Sequence, residues 1–119
     1  MATDIYTFEF NPTQLSHKEE ELGLIYSDND TACELMKKEE KMIIAELTVN
    51  ITTNGGYKNI TELNGKIYSD NKFKDFVERY GKTLKERNRS KIRYESFKAF
   101  RNDLRTKVVN ERELVKKNL

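Results

Sequence analysis

A single proline, Pro12, and five glycines are the only strong backbone breakers in these 119 residues. Long stretches are therefore free to follow their own hydrophobic period, and over most of the chain that period is helical. Leu35, Met36, Ile43, Leu47 and Ile51 recur at helical spacing, as do Phe73, Phe76, Val77, Tyr80 and Leu84. About a third of the chain is apolar and another third charged, with no tryptophan. That composition gives a thin core under a solvated surface, which helices accommodate better than a sandwich. The expected fold is mostly α, in one domain. A helical hairpin with a long C-terminal helix is covered by short helices and preceded by an extended N-terminal arm.

The arm is read over residues 1–11, where Ile5, Tyr6, Phe8 and Phe10 are bulky and need a surface to dock on. Ser16 with Glu19, Thr31 with Glu34, and Asn59 with Glu62 each fit a capping box. They predict a short helix to about Ser27, a second from about 31 to 53, and a third through Tyr68. The stretch Leu47-Thr48-Val49-Asn50-Ile51-Thr52 also alternates like a strand ahead of a hairpin turn at Asn54-Gly55. The long helical run upstream favours helix. A last long helix is expected from Asn71 to about Lys107, with a possible break at Arg87-Asn88-Arg89-Ser90 and a short terminal helix opened by Asn110. Ile25-Tyr26-Ser27-Asp28-Asn29 returns as Ile67-Tyr68-Ser69-Asp70-Asn71. We read this echo as one local device used twice, a helix end followed by a capping Asp.

Charge divides the chain. Residues 1–78 hold 8 lysines, no arginine and 15 carboxylates, a net of −7, whereas residues 79–119 hold 14 Lys and Arg against 5 carboxylates, a net of +9. The division gives an acidic helical part over 12–78 and a basic one over 79–119. Such asymmetry points to a polyanion-binding segment, or else to an acidic front that folds against a basic back. Within the basic part, Arg87, Lys91, Tyr94, Lys98, Arg101 and Arg105 follow at alternating steps of 4 and 3, which places them on one helix face. The cations of that stripe are candidates for phosphates and Tyr94 for stacking on a base, so single-stranded DNA is the favoured partner. An acidic protein surface is the other partner of the same chemistry.

Catalysis has little to build on. One cysteine, Cys33, and one histidine, His17, give no disulfide framework and no conventional zinc site. Glu19-Glu20-Glu21 and Glu39-Glu40 are adjacent carboxylates that cannot converge on one side of a helix. No Gly-rich phosphate loop is present, and Cys33, near the start of its expected helix, has no histidine partner. The expectation is a protein that is not an enzyme and has no cofactor. The opening residues lack a basic region and an apolar core, and no apolar run is long enough to span a bilayer, so a cytosolic protein without membrane contact is expected.

The charged run Met36-Lys37-Lys38-Glu39-Glu40-Lys41, followed by the Lys/Arg/Tyr-rich run Lys91-Ile92-Arg93-Tyr94-Glu95-Ser96-Phe97-Lys98, resembles small phage and prophage proteins of recombination modules. In size and layout the chain is similar to phage recombination-mediator proteins over roughly residues 31–107. That resemblance implies an accessory protein that binds single-stranded DNA, helps load a recombinase and assembles into rings. The acidic first half and the aromatic arm depart from the layout. Two further readings stay open. One is a phage-encoded inhibitor of a host nuclease or defence complex, with Glu19, Glu20, Glu21, Asp28 and Asp30 mimicking DNA. The other is a helical assembly protein, a homo-oligomer joined through its Phe-rich stripes.

Overall fold

The computed structural model describes residues 11–118, and these form three α-helices: α1 over Pro12–Thr53, α2 over Ile60–Ser69 and α3 over Asn71–Asn118. The arm expected over residues 1–11 lies outside the described residues except for Asn11. That residue caps α1, its side chain accepting from the Gln14 backbone N–H at 3.1 Å, with Pro12 in the first helical position. The helix thus starts four residues before the Ser16 box. The two helices expected over 16–27 and 31–53 are one. Leu15, Leu22, Tyr26, Asn29, Cys33, Met36, Ile43 and Leu47 stay in phase as its buried or half-buried face. Ser27-Asp28-Asn29-Asp30 contains no proline or glycine, and its weak helix formers cost only a few tenths of a kcal/mol each, about 0.5.

The strand-like stretch also stays helical. Leu47 is buried and Ile51 half-buried, one helical turn apart, while Val49 is 63% exposed, so the alternation carries no second face. Thr48, Thr52 and Thr53 donate their hydroxyls to the carbonyls of Ile44, Thr48 and Val49 at 2.7–2.9 Å, which keeps β-branched residues inside a helix. Gly55 and Gly56, with φ of 124° and 71°, then end it, and the Gly56 N–H reaches the Ile51 carbonyl at 2.8 Å. At the start of α2 the Asn59 side chain accepts from the Glu62 N–H at 2.9 Å, and Glu62 in return accepts from the Lys58 N–H at 3.2 Å. Replacing Asn59 by Ala should lower stability by about 1 kcal/mol, read as a lower urea midpoint.

The chain divides into two compact units, one of residues 28–87 and one that joins 11–27 to 88–118. Neither boundary falls at the charge divide between 78 and 79. In the first unit Ile43, Leu47, Leu63, Ile67, Phe73 and Phe76 form the core, with Met36, Ile44, Ile51 and Tyr80 packed on it. Its ion pairs run in opposite directions along α1 and α3, from Asp30–Arg87 through Glu39–Arg79 to Glu46–Lys72, as antiparallel helices require. In the second unit Leu15 and Phe97 are buried, and Tyr94 and Arg101 of α3 meet α1.

Helix α3 neither breaks at Arg87–Ser90 nor stops at Lys107. Ser90, 4% exposed, takes an inward position seven residues before Phe97, so the apolar seam is bridged by a small polar side chain. Among the described residues no buried side-chain nitrogen or oxygen lacks a hydrogen-bond partner, so Ser90 is accommodated without a stranded hydroxyl. Cys33, expected near a helix start, lies in the interior of α1 and is fully buried. No described helix is long and apolar enough to cross a membrane.

Candidate nucleic-acid interface

Charge distributes differently over the two units than along the chain. Residues 28–87 hold 11 Lys and Arg against 11 carboxylates, a net of zero. The described residues 11–27 and 88–118 hold 11 against 7, a net of +4. Within the first unit the acidic front does fold against the basic back. The Glu39 hydrogen bond is the chief cause that raises the Arg79 pKa above its usual value, with Asp75 adding to it. Lys37 is likewise raised, first by its hydrogen bond to Glu34. Both cations belong to exposed, paired surface and offer no reactive group.

The six stripe residues divide between the units and between roles. Arg87, in the charge-balanced unit, lies 3.7 Å from the Asp30 carboxylate. The other five stand on α3 in the cationic unit. Arg101 is turned inward, its side chain only 14% exposed, paired with Glu19 at 3.2 Å and donating to the Ser16 hydroxyl at 2.9 Å. Tyr94 is half-buried. Its ring lies 6.2 Å from the Tyr26 ring, and the position a Cβ on Gly23 would take is 3.1 Å from Tyr94 Cε1. Gly23 thus lets the tyrosine approach the α1 backbone closely. The Lys98 ammonium sits over the same ring, 4.9 Å from its centroid.

Lys91, Lys98 and Arg105 remain exposed, and among the described residues none of them has a carboxylate partner. Arg112 continues their seven-residue step. Such a step advances the helix about 10.5 Å and drifts only about 20° around it, so the four form a single row about 31 Å long. Arg105 and Arg112 also line a cleft of about 410 Å³ with Leu104, Val108 and Val109. The sequence reading missed Arg112 because the stripe was followed by alternate 3- and 4-residue steps and stopped at Arg105. The signal was present as the period of seven.

Arg101 therefore serves the fold. Its replacement by Ala should cost about 1.5–3 kcal/mol, the range for hydrogen bonds to charged groups. Combining it with Glu19→Gln should add little further loss in urea denaturation, since both changes remove the same contact.

Of the carboxylates that would mimic DNA, Glu19 and Asp30 face these arginines. Of the phenylalanines that would join copies, Phe73, Phe76 and Phe97 lie in the interior. Among the described residues no group of three His, Cys, Asp or Glu side chains is placed to hold a metal ion. No protein-family model, curated protein or solved structure matches this chain.

Proposed function

We propose that this protein is a non-enzymatic accessory protein that binds nucleic acid through its phosphates, on the exposed cations of the C-terminal half of α3. The observation that carries the reading is the row of Lys91, Lys98, Arg105 and Arg112. These cations stand exposed without carboxylate partners among the described residues, in the unit that holds the excess of positive charge. Cations so placed displace condensed counterions from a polyanion, which is the main source of affinity for non-specific binders. A role in phage recombination rests on the resemblance alone and belongs to the same proposal.

The test is fluorescence anisotropy of labelled DNA titrated with the full chain between about 50 and 200 mM salt, where phosphate contacts change affinity most visibly. Binding that weakens steeply with salt supports the reading. An absence of binding to both single-stranded and duplex DNA at the lowest salt overturns it.

A further inference from the structure

Resting on that reading, we infer that the row selects duplex DNA over single strands and holds it by its phosphates without regard to sequence. Single-strand binders add aromatic platforms to a cationic groove, and each stacked base contributes about 1–3 kcal/mol. Here that part is absent from the row. The described aromatic residues in 88–118 are Tyr94, Phe97 and Phe100, all buried or half-buried. Tyr94 is lodged against Gly23 and lies beneath the Lys98 ammonium. The exposed tyrosines, Tyr57 and Tyr68, belong to the charge-balanced unit.

With stacking removed, the comparison is between two phosphate lattices. Duplex DNA carries about one charge per 1.7 Å of axis and releases about 0.9 counterion per contact, against about 0.7 for a single strand. Its phosphates are also held in place before binding, whereas a flexible strand must be ordered along the helix. The seven-residue step of about 10.5 Å is close to three duplex base steps of about 3.4 Å each, so a regular rod of cations meets a regular rod of phosphates. No described side chain of the row is an Asn or Gln of the kind that reads adenine, and a Lys or Arg occupied by phosphates carries no sequence information.

The experiment compares a labelled 30-base-pair duplex, a second duplex of unrelated sequence, and the 30-nucleotide single strand of the first, at about 100 mM salt. The expected result is tenfold or tighter binding of both duplexes than of the strand, with the two duplexes alike. A Tyr94→Leu variant should leave the preference in place. Equal or tighter binding of the single strand, or a strand affinity that falls with Tyr94→Leu, overturns the inference while the nucleic-acid reading stands. If none of the three probes binds at lower salt, the nucleic-acid reading falls and this inference with it.

Discussion

Replacing Phe76 by Ala is expected to lower the free energy of unfolding by about 3–5 kcal/mol, the range for deleting a buried aromatic ring. Phe76 is 1% exposed. It stands at the centre of the core formed by α1, α2 and the first turns of α3, with its ring 6.3 Å from Phe73 and stacked on Tyr80 at 5.8 Å. Arg79 lies over the same ring, 5.7 Å from its centroid. Removing the ring leaves a cavity that helices pinned from several sides cannot close, and it takes a partner from both neighbouring rings. Small domains are stable by only about 5–15 kcal/mol, so a loss of this size is a large part of the total. Urea denaturation followed by helical circular dichroism measures it. A change below about 1 kcal/mol would mean that the core does not close around this residue.

The core was legible because its members keep phase. The pentapeptide that occurs twice makes the point, since the same five residues take two conformations. At Ile25–Asn29 the chain runs on as helix, because Tyr26, Asn29, Cys33 and Met36 continue one inward face. At Ile67–Asn71 it breaks. Ile67 and Phe73 are both buried yet stand six residues apart, about 120° out of register on a single helix, so the chain must turn to bury both. Asp70 makes that turn, its N–H reaching the Ile67 carbonyl at 3.1 Å while its carboxylate accepts from the Lys72 N–H at 2.8 Å. Capping residues alone misled at Thr31, where Glu34 offered a box inside a continuous helix. The phase of buried positions on either side decides whether a capping sequence is used.

The interface was only half legible, for a geometric reason. A stripe read on a helical wheel shows which cations share a face, but not which side of that face another helix covers. Tyr94 and Arg101 lie one turn either side of Phe97, so once Phe97 is buried they fall at the helix contact. Ser90 hid the seam that would have revealed this, because a serine in an inward position reads as surface. The cations further round the helix stay outside.

Neutralising that outer row should change DNA binding more than any other substitution of the same size. The variant K91A/K98A/R105A/R112A removes four phosphate contacts, and each contributes about 0.9 to the slope of log affinity against log salt on a duplex. The slope should therefore become shallower by about 3.6, whatever its starting value. Counterion release contributes little at 1 M salt, and a tenfold dilution multiplies its effect by the slope in decades. At 0.1 M the affinity should accordingly fall on the order of a thousandfold. The fold should survive, since all four side chains are exposed and unpaired among the described residues, and alanine is a better helix former than either cation. Arg93 and Lys107 provide the control, being equally exposed but on the other side of the seam through Ser90, Phe97 and Leu104. Replacing those two by Ala lowers the net charge without touching the row, and it should leave the slope nearly unchanged. If both variants flatten the slope in proportion to the charge removed, binding follows overall charge and the row has no special part. If only the fourfold variant does so, the phosphates lie along Lys91, Lys98, Arg105 and Arg112.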